Sequence, residues 1–134
     1  ELAPAFAISL TLAMVSFGVS IAAQAIQNAI PKTYKFKSKF ELKKHFLKHN
    51  EDFNFMFKNT KEYLDAANDV IKNGTKVSYL YNNKVTYGYV QFYANSTRNG
   101  MAKFAFVGMN NSRIATFHVK NAKELWRLLG RIGI

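Results

Sequence analysis

At Gly74 the spacing of apolar residues changes from that of helices to that of strands, and this change restricts the fold more than any other feature. Before Gly74 the apolar residues recur every three to four positions, which is typical of amphipathic helices. After Gly74 they alternate with polar residues, which is typical of half-buried strands. The pattern therefore predicts helices first and a sheet afterwards.

Two helix starts precede the change. Ser38 begins a capping box, in which a Ser side chain and a Glu three residues later satisfy the first free amides, and it predicts a helix over residues 39–49. Asn59 or Thr60 caps a second predicted helix, which ends at Gly74. The exposed side of the second helix carries mixed charge, so we interpret that helix as scaffold.

Four strands are predicted after the change, followed by a short helix. The strands cover residues 76–81, 85–93, 101–107 and 113–119, with turns at 82–83, 95–100 and 108–112. Short turns favour antiparallel pairing of consecutive strands. The last helix covers residues 121–129, with Leu125, Trp126 and Leu129 on its apolar side. Together these elements predict an α+β fold, in which N-terminal helices pack on a four-stranded or slightly larger antiparallel sheet that ends in a short C-terminal helix.

Residues 2–30 carry no charged side chain, and the sharp change of composition at Pro31 is the clearest boundary in the sequence. A run of this length can span a bilayer, but many Ala, Ser and amide side chains make it only weakly apolar. It does not fit a signal peptide, because no basic residues precede it. Three interpretations stay open: a membrane-interacting or translocation segment, a buried or self-associating helix, and a remnant of a longer chain. We expect residues 1–31 to serve delivery, entry or membrane contact, and residues 32–134 to form one basic domain.

The basic domain is strongly cationic. It holds all 19 Lys and Arg residues and seven of the eight Asp and Glu residues, so its net charge is +12. Such an excess favours a polyanionic partner, whether nucleic acid, anionic lipid or an acidic protein. Nucleic acid suits a folded basic domain in a chain whose aromatic content is 15 %. The absence of cysteine excludes a disulfide framework and a thiolate zinc site.

The first predicted helix carries the strongest candidates for chemistry, His45 and His49 among Lys43, Lys44 and Lys48. At 100° per residue both histidines and two of the lysines share an arc of roughly 140°, which predicts one packed side and one side presenting imidazoles and cations. Histidine can take a proton from a hydroxyl and return one to a leaving group, and lysine can stabilise charge on a phosphoryl oxygen. These groups suffice to drive a ribose 2′-hydroxyl against its own phosphate. A solvated basic face with incidental histidines is the competing interpretation.

The last predicted strand supplies a second group of candidates. Alternation predicts Thr116 and His118 on one face with Ile114, and Arg113 with Phe117 on the other face. Thr116 and His118 can then meet the helix histidines, and Arg113 is a candidate for binding phosphate. An ordinary half-exposed strand is the alternative.

Tyrosines among lysines form a third group, since aromatic rings can stack on RNA bases. They are Tyr79, Tyr81, Tyr87, Tyr89 and Tyr93, of which Tyr93 is the RNA-binding candidate. Core packing competes as an explanation, because tyrosine is common in strands.

A zinc site is the other chemistry open to the histidines, with His45 and His49 four residues apart and His118 as third ligand. The glutamate expected between the histidines of a zinc protease is missing, and neighbouring lysines repel a cation. The sequence therefore predicts neither a metal nor another cofactor.

A series of short motifs between residues 39 and 119 has a familiar layout. The motifs are Leu47-Lys48-His49, Asp52-Phe53, Thr60-Lys61-Glu62-Tyr63-Leu64 with Ala66-Ala67, a turn over residues 93–99, and a closing strand over residues 113–117. This layout resembles colicin D-like nuclease toxins and the C-terminal toxin domains of contact-dependent growth inhibition proteins.

The resemblance implies the barnase/EndoU/colicin/RelE type of fold, an RNase aimed at tRNA and a cognate immunity protein, which we expect to be acidic. By position, His49 matches the general acid/base, Lys44 and Lys48 match phosphate-binding residues, and Thr116 belongs to the closing motif. His118 stands where an aromatic residue is common, which leaves a second catalytic role open.

The sequence thus predicts an antibacterial, metal-independent endoribonuclease toxin that cleaves RNA, with tRNA as the expected substrate, to a 2′,3′-cyclic phosphate. It is expected to be delivered as part of a larger secreted or cell-surface protein, with transient membrane contact through residues 2–30, and to act in the target-cell cytoplasm. Two other classes stay open: a non-catalytic basic module that binds nucleic acid or membranes, and a membrane-permeabilising toxin that uses residues 2–30.

Overall fold

The computed structural model describes residues 33–130, in which three α-helices, one short 3-10 helix and one four-stranded sheet follow one another. The elements are α1 (Lys39–His49), the 3-10 helix (Asn50–Phe53), α2 (Thr60–Asn73), β1 (Thr75–Tyr81), β2 (Lys84–Asn95), β3 (Ala102–Asn110), β4 (Arg113–Asn121) and α3 (Ala122–Leu129). This order confirms the predicted α+β fold. The predicted segment 1–31 lies outside the described residues, and within residues 33–130 no helix is long and apolar enough to cross a membrane.

The helices begin where the sequence predicts, because their caps are local. Ser38 accepts a hydrogen bond from the Glu41 amide at the start of α1, and Asn59 accepts one from the Glu62 amide at the start of α2. Asn121 forms a complete capping box at the start of α3. Each cap satisfies amides that have no partner inside the helix.

The strands pair in the order β1-β2-β3-β4, and all neighbours are antiparallel. Asn82 and Asn83 both have positive φ, which suits the tight turn between β1 and β2. The turn predicted over residues 108–112 is shorter than expected, because β3 continues to Asn110. β4 is an edge strand, and this position decides where the candidate site forms.

A β-bulge in β4 overturns one prediction. The pairing between β3 and β4 shifts near the start of β4, and Ala115 has no partner in β3. Ile114 therefore joins Phe117 on the core face, whereas Thr116 and His118 lie on the opposite face. Strict alternation had placed Ile114 on the same face as Thr116 and His118. That prediction is wrong, because the extra residue at the bulge moves the side chains that precede it to the other face of the sheet.

The main core lies between the sheet and the first two helices, and it is largely aromatic. Phe53, Phe57, Tyr63 and Phe117 are buried with their rings in mutual contact. The Tyr63 hydroxyl donates a hydrogen bond to the backbone carbonyl of Phe117, which joins α2 to β4. This contact fixes β4 relative to the helices.

The second face of the sheet is covered by α3, which contacts β1, β3 and β4. Leu125, Tyr79 and Phe106 are buried there, outside the main core cluster. Trp126 was predicted to belong to the apolar side of this helix, but it is 80 % exposed. The prediction for Trp126 is wrong because the helix is short and buries only a narrow stripe against the sheet.

Gly74 ends α2 where the backbone of β2 passes close by. A Cβ atom on Gly74 would lie 2.5 Å from the carbonyl oxygen of Val70 and 2.7 Å from that of Val90. We expect Gly74→Ala to lower the free energy of unfolding by about 1–3 kcal/mol, because backbone atoms must move to admit the methyl group. Chemical denaturation measures this loss. Gly130→Ala is the matched control, since among the described residues, apart from its neighbours along the chain, no atom lies within 4 Å of the place that its methyl group would take. An equal loss in both variants would contradict the explanation.

Candidate active site

The orientation of α1 differs from the prediction. Leu42, His45, Phe46 and His49 form the inward stripe, and the side chains of His45 and His49 are only 17 % and 14 % exposed. The outward stripe contains apolar Phe40 and Leu47, which are 71 % and 67 % exposed, together with the lysines. The imidazoles therefore do not share the solvent-facing side with the cations. The inward residues follow the spacing i, i+3, i+4, i+7, which is itself the pattern of a packed helix face.

Three histidines form one stacked row between α1 and the edge strand β4. The ring centroids of His45 and His49 are 5.8 Å apart, and those of His49 and His118 are 4.9 Å apart, with interplanar angles of 25° and 27°. Phe36 and Phe106 continue the row at its two ends, 5.3 Å from His45 and 5.6 Å from His118. The structure thus brings together all three histidines that the sequence offered as candidates.

The histidine row is held in place by contacts with β4 at both ends of α1. Before α1, the Ile114 amide donates a hydrogen bond to the Lys35 carbonyl, and Phe36 forms a parallel bridge to Ile114. After α1, the 3-10 helix contacts β4 and buries Phe53 in the core. Because α1 is fastened to β4 at both ends, its inward histidines are fixed beside the strand.

His49 has a carboxylate partner. Its Nδ1 atom lies 3.1 Å from Oδ2 of Asp52, three residues further on at the turn into the 3-10 helix. A carboxylate in this position holds the neutral ring with its proton on Nδ1, leaves Nε2 for a substrate, and stabilises the imidazolium when it forms. His49 therefore has the arrangement of a general acid/base, while Asp52 orients it.

His118 is kept uncharged at neutral pH. Burial lowers the pKa of His118 to about 4, with further lowering from Lys120 and His49 that outweighs the opposing effect of Asp52. Its Nδ1 atom lies 3.3 Å from the carbonyl oxygen of Val119, which also opposes the shift. A histidine in this state packs against its neighbour as a neutral aromatic ring.

The burial of His118 predicts acid sensitivity. Its pKa is 6.5 in an unfolded chain and about 4 in the folded one, so its contribution to stability is complete above pH 6.5 and is lost as the pH falls towards 4. The full loss is on the order of 3 kcal/mol. We expect His118→Phe to remove this part of the acid-induced loss, as measured by urea denaturation at pH 7 and pH 4. Equal pH dependence in wild type and variant would contradict the burial argument.

His45 has a more distant carboxylate partner than His49. Burial, followed by the positive neighbours His49, Lys44 and Lys48, lowers the pKa of His45, and Glu41 opposes the shift. The Nε2 atom of His45 lies 3.7 Å from Oε1 of Glu41, whereas its Nδ1 atom is buried with no hydrogen-bond partner among the described residues. His45 therefore has a weaker claim to the acid/base role than His49.

Thr116 lies on the same face of β4 as His118, two residues earlier, and pairs across the strands with Gly108. A Cβ atom on Gly108 would be 2.9 Å from the Tyr79 hydroxyl and 3.1 Å from the Thr116 methyl group, so all three meet at one point. Burial raises the pKa of Tyr79 to about 12. This hydroxyl is therefore a proton-bearing neighbour of Thr116 rather than a base.

The predicted phosphate-binding lysines lie on the outer side of α1. Lys43 and Lys48 are exposed, and Nζ of Lys44 lies 3.4 Å from Oε1 of Glu41. On the other side of the histidine row, Nζ of Lys120 lies over the Phe106 ring, 5.3 Å from its centroid. The row thus has cations at both flanks.

Two further candidates lie away from the histidines. Arg113 is exposed at the start of β4, opposite Asn110. Tyr93 is 2 % exposed and packs against Phe53 in the core, with Nζ of Lys103 near its ring. Tyr93 is therefore a core residue, and its ring does not lie on the surface where an RNA base could stack, because β2 bulges there and turns the ring inward.

Sequence reasoning gave Asp52 and Glu41 no role beside the histidines. Asp52 follows His49 by three residues and Glu41 precedes His45 by four, spacings that place side chains together on a helix. This spacing was the signal in the sequence that could have identified both carboxylates as partners of the histidines. Within residues 33–130, no group of three or more His, Asp or Glu side chains is arranged to hold a metal ion.

Comparisons with known proteins identified no relative of this chain. No family model matches the chain, and no significant match was found among curated proteins or among solved structures.

Proposed function

We propose that the protein is a metal-independent endoribonuclease toxin, with His49 as its general acid/base. The observation that carries the proposal is the Asp52–His49 pair, with Nδ1 and Oδ2 3.1 Å apart, packed against uncharged His118. A half-buried histidine that is oriented by a carboxylate and flanked by lysines is suited to moving protons at a phosphodiester.

The reaction that suits these groups is attack by the ribose 2′-hydroxyl. Nε2 of His49 takes the 2′-hydroxyl proton, the 2′-oxygen bonds to phosphorus, and the bond from phosphorus to the 5′-oxygen breaks. The protonated His49 then gives the proton to the departing 5′-oxygen, which leaves a 2′,3′-cyclic phosphate and a 5′-hydroxyl. Lys44 and Lys48, on the outer side of α1, would bind phosphates that flank the cut site and contribute to stabilising the charge there.

His118 acts as a positioning residue in this scheme. Because its ring is uncharged at neutral pH and stacks on His49, it restricts the orientation of His49. His45 stacks on the other side of His49 and has the same effect. Thr116 lies beside His118 and would contact the substrate rather than transfer a proton.

RNA is the preferred polyanion because the net charge of +11 suits a phosphate backbone and the chemistry needs a 2′-hydroxyl. We further propose tRNA as substrate, an acidic immunity protein as partner, and delivery from a larger secreted or cell-surface protein into a target-cell cytoplasm. These points rest on the resemblance to nuclease toxins. Transient membrane contact through residues 2–30 belongs to the same proposal.

Expression of the full chain inside bacteria separates the three function classes. We expect growth arrest together with tRNA fragments on a gel of total RNA. Intact tRNA with continued growth would favour a binding module, whereas loss of membrane potential with intact tRNA would favour a permeabilising toxin. The Asp52–His49 pair predicts that His49→Ala restores growth without lowering the amount of protein.

A further inference from the structure

A groove lies between the start of β4, the turn before it and the start of α1. Its volume is about 670 Å³, within the range of small-ligand sites, about 300–1,000 Å³. Buried Phe36 and Ile114 contribute an apolar floor, and Lys37, Arg113 and Glu41 contribute charged walls. The turn residues Asn110, Asn111 and Ser112 add amide and hydroxyl groups.

The groove is continuous with the histidine row. Phe36 forms its floor and also contacts the His45 ring, at 5.3 Å between centroids. Glu41 forms part of its wall and also approaches Nε2 of His45, at 3.7 Å. A ligand in the groove would therefore touch the same two side chains that hold the end of the row.

The charge of the groove favours an anion. Among the described residues that line it, Glu41 is the one acidic side chain, and its carboxylate is already paired with Lys44 outside the groove. Lys37 and Arg113 are exposed and face the groove with their charges. An arginine binds a phosphate with two parallel hydrogen bonds, and an apolar floor can receive a planar ring.

We propose that this groove binds one nucleotide of the RNA, with its phosphate on Arg113 and Lys37 and its base on the Phe36–Ile114 floor. This inference rests on the proposed function and adds a second contact point for the same strand. Arg113 and His118 are five residues apart along β4, roughly 16 Å. The nucleotide in the groove would therefore lie on the same strand as the nucleotide that is cut but outside the reacting site, and it would contribute affinity for single-stranded RNA.

The test is a titration of the full chain with uridine 3′-monophosphate, followed by NMR, with inorganic phosphate and uridine as separate probes. We expect the nucleotide to shift the backbone signals of Ser112, Arg113 and Phe36. Arg113→Ala should weaken binding about tenfold, the effect of losing one charge-assisted contact. Arg98→Ala is the matched control, because Arg98 is exposed in the turn between β2 and β3, and its affinity should equal that of the wild type.

Three outcomes would overturn the inference: shifts confined to other parts of the chain, equal affinity of wild type and Arg113→Ala, or equal affinity for phosphate and nucleotide. Cleavage assays separate this inference from the proposed function. Nucleotide binding in the groove without RNA cleavage would support the groove as a binding site and contradict the proposed RNase activity. RNA cleavage by Arg113→Ala with an unchanged KM would contradict the groove proposal and leave the proposed RNase activity supported.

Discussion

Replacing His49 with alanine is expected to lower kcat/KM for RNA cleavage by about 10²- to 10⁴-fold, the usual contribution of a positioned acid/base. The reason is that the Asp52 carboxylate fixes one nitrogen of the His49 ring and leaves the other for the substrate. The neighbouring His118 cannot take over, because its low pKa of about 4 keeps it from serving as a proton donor at neutral pH. Initial rates on a defined RNA, measured with purified full chain, give this number.

Two companion variants sharpen the His49 result. Asp52→Asn should also lose activity, because an amide can hold the ring in the wrong tautomer and cannot stabilise its positive charge. Lys61→Ala is the surface control, since Lys61 pairs with exposed Asp65 on α2, and it should behave as wild type. A His49→Ala variant within threefold of wild type, with unchanged thermal stability, would refute the assignment of His49.

The largest expected effect on stability comes from Phe53→Ala, a loss of about 3–5 kcal/mol in the free energy of unfolding. Phe53 is fully buried, and its ring contacts Phe57, Tyr93 and Phe117 at centroid distances of 5.1, 5.5 and 4.8 Å. Removing the ring leaves a cavity among side chains that belong to three separate parts of the fold, which cannot close together easily. Urea denaturation at pH 7 measures the loss.

Phe40→Ala is the matched control for this experiment. Phe40 is 71 % exposed on the outer side of α1, so its loss should change the free energy of unfolding by no more than about 0.5 kcal/mol. If both variants lost the same stability, Phe53 would not be the centre of the aromatic core. Because Phe53 follows Asp52 directly, its loss should also loosen the carboxylate that orients His49.

The parts of the fold that depend on local contacts could be predicted from the sequence. Ser38, Asn59 and Asn121 cap their helices through bonds to residues three positions away, so the helix starts were correct. Short turns such as Asn82-Asn83 likewise determined the antiparallel order of the strands. Local chemistry was sufficient in each case.

The parts that depend on distant contacts could not be predicted in the same way. The inward direction of His45 and His49 depends on the position of β4 at the edge of the sheet. The spacing in α1 fits this packed face but does not by itself select it over the face that carries Phe40 and Leu47. The bulge at Ala115 arises from pairing with β3 and moved Ile114 to the core face. The contact between His49 and His118 was nevertheless predicted as possible, because strand alternation places Thr116 and His118 on the same face of β4.

The same distinction applies to two aromatic residues. Tyr93 was a candidate for stacking on RNA and Trp126 was placed on the apolar side of α3, yet Tyr93 is buried and Trp126 is exposed. Their burial depends on the bulge in β2 and on the narrow contact of α3 with the sheet. Residue type alone does not report either feature.

The most direct test of the proposed reaction is end-group analysis of RNA after incubation with the purified full chain and a metal chelator. Attack by the 2′-hydroxyl predicts fragments that carry 2′,3′-cyclic phosphate and 5′-hydroxyl ends, and no cleavage at a site where the 2′-hydroxyl is replaced by hydrogen. Intact RNA, or fragments with 3′-hydroxyl and 5′-phosphate ends, would contradict it.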